Sequence, residues 1–135
     1  MTPKKAKTIA VEKGEYKVYL NKAKDFYNIM IKARDAENWT AVGLNAVHCA
    51  ISSCDSILTF HLGIRSSGED HMQASDLILR IPQTNAKIAA SSFKRIIAKK
   101  NLIAYESREF RKGDAEDILK ITQRFFEWTL SILPR

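Results

Sequence analysis

The stretch Trp39-Thr40-Ala41-Val42-Gly43-Leu44-Asn45-Ala46-Val47-His48-Cys49-Ala50-Ile51-Ser52-Ser53-Cys54-Asp55-Ser56-Ile57-Leu58-Thr59-Phe60-His61-Leu62-Gly63 decides the fold of this 135-residue chain. Within it Trp39, Val42, Ala46, Val47, Ala50, Cys54, Ile57, Leu58 and His61 fall on one side of a helix, recurring at steps near its 3.6-residue period. Leu44, Ile51 and Leu62 widen the apolar arc well beyond the stripe of a surface helix. Between Trp39 and Phe60 the one charged side chain is Asp55. A helix so poor in charge, over about 38–62, is central, or its outer face is covered by a partner. Gly63 is well placed to end it, because glycine takes the left-handed conformation that closes many helices.

The same period marks the neighbours. Leu20, Ala23, Phe26, Tyr27, Met30, Ile31 and Arg34 predict a first helix over about 15–36. Residues 64–68 read as a connector, with Ser67 as an N-cap and Glu69 and Asp70 complementing the dipole of a short helix over about 68–81. Thr84 can cap a fourth helix, about 85–107, whose inward face holds Ala86, Ala89, Phe93, Ile96, Ile97 and Ile103. Arg111-Lys112-Gly113-Asp114 reads as cations, a stop glycine and a new N-cap, opening a fifth helix over about 115–133. Short connections imply antiparallel neighbours. The expected fold is therefore all-α: an antiparallel up-and-down bundle of four to five helices in one domain, residues 15–135, behind a flexible basic tail of residues 1–14.

Composition agrees. A chain with 45% hydrophobic and 27% charged residues is an ordinary globular protein, and five glycines with three prolines are too few for the turns of a β-sandwich. No apolar run is read as reaching the roughly 20 residues that cross a bilayer. No hydrophobic signal region follows the basic start Met1-Thr2-Pro3-Lys4-Lys5-Ala6-Lys7, so a cytoplasmic location is expected. Cys49 and Cys54, five apart on a helix, fall on different faces and read as buried small apolar side chains.

The net charge of +7 is concentrated. Residues 87–112 hold Lys87, Lys94, Arg95, Lys99, Lys100, Arg108, Arg111 and Lys112 against Glu106 and Glu109, which accounts for +6. Such clustering is the usual footprint of a phosphate-bearing partner; a lysine face serving solubility is the alternative. No phosphate-binding loop, dinucleotide fingerprint or zinc motif is present. His48, His61 and His71 lack compact ligand spacing, so no metal and no cofactor are expected. Asn45, His48, Ser52, Asp55 and Thr59 form a polar stripe opposite the apolar arc. It reads as a wetted face or a polar dimer seam, with acid–base work by a histidine near an aspartate as the alternative. In Lys99-Lys100-Asn101-Leu102-Ile103-Ala104-Tyr105-Glu106, Asn101 and Tyr105 share a helix face that Arg108 and Lys112 extend if the helix continues. Basic groups mixed with an aromatic suit a nucleic-acid backbone and a base.

Over about residues 20–133 the chain resembles the HEPN superfamily of small helical-bundle domains. The resemblance rests on the alanine-rich second helix, the Gly63 break, the segment ending in Tyr105, the acidic start at Asp114 with Ala115, and the aromatic run Arg124-Phe125-Phe126-Glu127-Trp128. Many members of that family are metal-independent ribonucleases with an R-x4–6-H motif, often Arg followed by Asn or Asp. Here Lys100 stands at the arginine, Asn101 matches the polar position, and Tyr105 replaces the histidine. The catalytic pair is absent. The resemblance thus implies a binding or accessory domain, of the kind sometimes encoded beside a nucleotidyltransferase in toxin–antitoxin-like pairs. The expectation is a homodimer that binds RNA or a nucleotide-bearing partner through Lys99, Lys100, Asn101, Tyr105 and Arg108. One alternative is a divergent ribonuclease using Lys100 for charge and His48 or Tyr105 for proton transfer. The other is a protein–protein module whose second helix docks a nucleotidyltransferase.

Overall fold

A computed structural model describes residues 7–67 and 71–135. Helix α2, Trp39–Leu62, lies at the centre, with Val42, Ala46, Ala50, Ile57 and Leu58 fully buried. It packs against α1, Tyr16–Asp35, and α6, Lys112–Ser131, and also meets α3, Ala74–Ile78, α4, Ala86–Ala98, and α5, Lys100–Ala104. The ring contacts Tyr16–Phe60 and Phe26–His48 run in opposite senses along α1 and α2, which makes the two helices antiparallel. The α6 residues Ala115 and Leu119 meet Val42, and the Ile132 carbonyl oxygen lies 2.8 Å from His61 Nε2. Hence α6 runs parallel to α2. On its other flank α6 meets Arg95 and Lys99 near its start, and Trp128 near its end donates from Nε1 to the Thr84 carbonyl at 3.1 Å, so α4 runs against it. Directions alternate through α1, α2, α4 and α6, as in an up-and-down bundle.

The chemistry of each long helix explains its place. In α1, Leu20, Ala23, Met30 and Ala33 are buried while the lysines between them are exposed. In α6 the stripe Ala115, Ile118, Leu119, Thr122, Phe125, Phe126 and Thr129 is buried. Gly63 closes α2 at φ 67°, with its N–H donating to the Thr59 carbonyl. By length and composition α2 does reach what a membrane crossing needs, contrary to the sequence reading of its apolar run. About two thirds of its apolar stretch is buried within the bundle, as in a core helix.

Several expectations are corrected. The tail ends earlier than residue 14: Thr8–Ala10 form a strand, β1, antiparallel to β2, Ile64–Ser66, in the segment expected to be a connector. Residues 1–6 of the expected tail, and Glu69 and Asp70 of the expected cap, lie outside the described residues. The third helix is a 3₁₀ turn, His71–Gln73, leading into the single turn of α3. Asn85, not Thr84, precedes α4, with φ 71°. The expected helix 85–107 is divided at Lys99 into α4 and α5, and residues 105–111 are not helical. Gly113 lies inside the first turn of α6, where Asp114 Oδ2 accepts the Arg111 backbone N–H at 2.9 Å.

Candidate nucleic-acid interface

Beyond the division at Lys99 the chain packs on α2. A Cβ at Gly43 would lie 2.7 Å from Phe110 Cε1 and 2.9 Å from Ile103 Cδ1, so the bare glycine leaves a notch on α2 that these two side chains fill. Ile103 and Phe110 fill that notch from beyond the division at Lys99. Lys99 and Lys100, adjacent in sequence, have different surroundings. Lys100 comes close enough to α2 for its charge to act on His48. Burial first, and then Lys100, hold the His48 imidazole below its ordinary 6.5. Its ring stacks on Phe26 with centroids 5.2 Å apart.

Lys99 instead borders a groove of about 570 Å³ between α4 and α6. Arg95 and Lys99 line it from α4; Asp117, Lys120 and Arg124 line it from α6. Four cations thus face one carboxylate, and among the described residues none of the four takes part in an ion pair. Such a concentration of one sign in a cleft focuses potential toward an anion. Lys120 and Arg124 escape the sequence reading because they lie beyond the basic stretch 87–112. Their four-residue spacing marks a shared helix face, but only the fold brings that face beside Arg95 and Lys99.

The other expected residues divide. Asn101 is exposed, and its carbonyl accepts the backbone N–H groups of Tyr105 and Glu106, closing α5. Tyr105 is 78% exposed. Arg108 is engaged: its Nη2 lies 3.2 Å from Asp114 Oδ1. The Asp114 carboxyl is held below its ordinary range by the Arg111 N–H first, then by Arg108, and more weakly by the charge of Lys99. Arg108 therefore serves the start of α6 and brings little uncompensated charge to the interface.

The polar stripe on α2 is neither a continuous wetted face nor a continuous seam. Thr59 is fully buried with no partner for Oγ1 among the described residues, Ser52 is buried, and Asn45 donates back to the Ala41 carbonyl at 2.8 Å. Asp55 is partly buried; burial pushes its carboxyl up to about 6, against the opposing pull of Arg65 and Lys22. Among the described residues no hydrogen bond or ring contact joins His48 to Asp55 or to Tyr105. Burial by α1, α4 and α6 also accounts for the low charge of α2, the observation behind the expected homodimer. Cys49 and Cys54 are buried free thiols, and burial raises both pKa values, that of Cys49 to about 12. Among the described residues no three His, Cys, Asp or Glu side chains are grouped to hold a metal ion. No family model, curated protein or solved structure matches the chain.

Proposed function

We propose that this chain is a non-catalytic, HEPN-like RNA-binding domain that holds a single strand on the surface formed by α4, α5 and the first half of α6. The observation that carries the reading is the groove in which Arg95, Lys99, Lys120 and Arg124 converge without ion-pair partners among the described residues. Unpaired like charges repel each other, and a polyphosphate backbone relieves that repulsion while releasing its own counterions. Exposed Asn101 and Tyr105 follow Lys99 by two and six residues, and an exposed phenol ring can stack on a base. For four phosphate contacts, affinity for single-stranded RNA should fall by about 50-fold between 50 and 200 mM salt. Fluorescence anisotropy with a labelled oligouridylate measures this. The double change Lys99→Glu and Lys100→Glu should weaken binding and flatten the salt slope. Undetectable binding at about 50 mM salt would reduce the basic face to a solubility device.

The approach of Lys100 to His48 is the one observation that favours the ribonuclease reading. An imidazole with a lowered pKa is neutral at pH 7 and able to accept a proton. The reading needs an acid opposite it, and a phenol of reference pKa near 10 is poorly matched to neutral pH. Metal-free cleavage of single-stranded RNA by wild type, lost in both His48→Ala and Tyr105→Phe, would establish the nuclease and overturn the non-catalytic assignment.

A further inference from the structure

Lys120 borders two concavities at once. On one flank of α6 it lines the cationic groove; on the other it lines a cavity of about 260 Å³. The buried side chains of Val42, Ala115 and Leu119 give that cavity an apolar lining, and the half-buried Trp39 contributes an indole. Exposed Arg34 and Glu116 and partly exposed Gln123 add polar groups, and the Glu116 carboxylate is offset by Lys112 Nζ at 4.0 Å. Trp39 is set there by the tight turn from α1. Glu37 takes φ 58° and the Asn38 N–H donates to the Ala33 carbonyl at 2.9 Å, so α2 begins on the indole.

We propose that this cavity takes one unstacked base of the RNA strand whose phosphates occupy the α4–α6 groove, with the base stacked on Trp39; the inference rests on the RNA-binding reading above. Size, chemistry and connection each argue for it. The cavity is smaller than the roughly 300–1,000 Å³ of sites for drug-sized ligands, and suits a single ring system. An apolar lining with an aromatic wall favours a flat heterocycle, because every base presents a π-face. Its polar edge then meets groups of both kinds. Gln123 donates from Nε2 to the Tyr27 hydroxyl at 3.0 Å, which leaves its carbonyl oxygen as an acceptor. The Arg34 guanidinium bonds the exposed carboxylate of Asp35, at 3.2 Å, a surface pair that a ligand displaces at little cost. Lys120 supplies the connection: a phosphate on its ammonium leaves the attached nucleoside over the cavity, while the next phosphates continue toward Arg124 and Arg95.

The consequence is a preference for single strands. A duplex keeps its bases stacked and paired, and inorganic polyphosphate has none, so both should use the groove alone. The chain has two tryptophans, and Trp128 lies at the other end of α6. In a Trp128→Phe background the emission therefore reports on Trp39. Oligouridylate should quench it, and polyphosphate of matched charge should not. Trp39→Ala should cost oligouridylate about 5- to 100-fold in affinity, and polyphosphate far less. Trp39→Phe, which keeps a ring, should recover much of the loss and guards against misfolding of the alanine variant. Salt-dependent binding of oligouridylate with Trp39 emission unmoved, and equal affinity for polyphosphate, would overturn the base pocket while leaving the basic interface standing. Binding of neither polyanion at low salt would overturn both.

Discussion

Replacing Gly43 by alanine tests whether the α2 notch shapes the interface. The new Cβ would sit 2.7 Å from Phe110 Cε1 and 2.9 Å from both Cδ1 and Cγ1 of Ile103. Carbon atoms prefer about 3.5–4.0 Å, so two buried side chains from different parts of the chain must both retreat. Overpacking of this kind costs about 1–3 kcal/mol, and pressing on two neighbours argues for the upper half of that range. Alanine returns about 1 kcal/mol through its better helix propensity. The net is a destabilisation of about 1–2 kcal/mol, or a fall in Tm of roughly 4–8 °C for a domain of this size. Retreat of α5 also withdraws Lys100 from α2, so the His48 pKa should rise toward 6.5 and RNA affinity should drop. Thermal melts, NMR titration of the His48 ring and anisotropy read the three effects. Gly113→Ala is the contrast: in the first turn of α6, with nothing within 4 Å of the place its new methyl would take, it should stabilise by up to about 1 kcal/mol. A Gly43→Ala protein that melts at or above wild type, with His48 unmoved, would refute the notch argument.

The partly buried Asp55 carries a carboxyl raised from 3.8 to about 6, so the folded chain holds its proton more tightly than the unfolded one. Stability should therefore fall by roughly 3 kcal/mol as pH rises from about 4 to 6 and level off above; Asp55→Asn should abolish that slope in thermal melts and raise Tm at pH 7. His48 works in the opposite sense, since its pKa is lowered on folding: its contribution is full above 6.5 and is lost as pH falls, and in the Asp55→Asn background it should emerge above the acid range in which Asp114, also lowered on folding, loses its own contribution. Thr59 and Thr122 each bury a hydroxyl without a partner among the described residues, so Thr59→Val and Thr122→Val should each stabilise by about 1 kcal/mol in denaturant unfolding, and a loss instead would mean the hydroxyl is satisfied in solution.

The long helices are legible in the sequence because their apolar periodicity is strong and their burial follows it. Leu20, Ala23 and Met30 of α1, Val42, Ala46, Val47, Ala50, Cys54, Ile57 and Leu58 of α2, and Phe125 and Phe126 of α6 are buried where a helical repeat puts them, whereas Arg34 and Leu44, also expected on apolar faces, are exposed. The departures fall where the deciding contact is non-local. Nothing near Ile64 or Thr8 announces that these two segments, far apart in sequence, pair as strands. Phe110 is a lone aromatic among charged residues, and its burial depends on a missing side chain at Gly43, on another helix. Gly113 reads as a stop because glycine often closes helices, but there the Asp114 carboxylate already satisfies the N–H at the start of α6.

The candidate site shows the same division more sharply. A count of charges along the chain finds the basic stretch 87–112, yet it treats Lys99 and Lys100 as one feature and Arg108 as equal to both. In space the three differ. Lys99 lines the α4–α6 groove and also acts on Asp114, Lys100 acts on His48, and Arg108 pairs with Asp114. Two cations that the count assigns elsewhere, Lys120 and Arg124, take their place beside Arg95 because α6 runs antiparallel to α4. Lys120 and Arg124 are thus as much part of the proposed phosphate site as the lysines legible in the sequence. Their replacement by glutamate should weaken RNA binding at least as much as that of Lys100, which does not line the groove. If instead Lys100→Glu alone carries the loss and Lys120→Glu is silent in anisotropy, the strand lies along α5 and α2, and the groove between α4 and α6 is not its path.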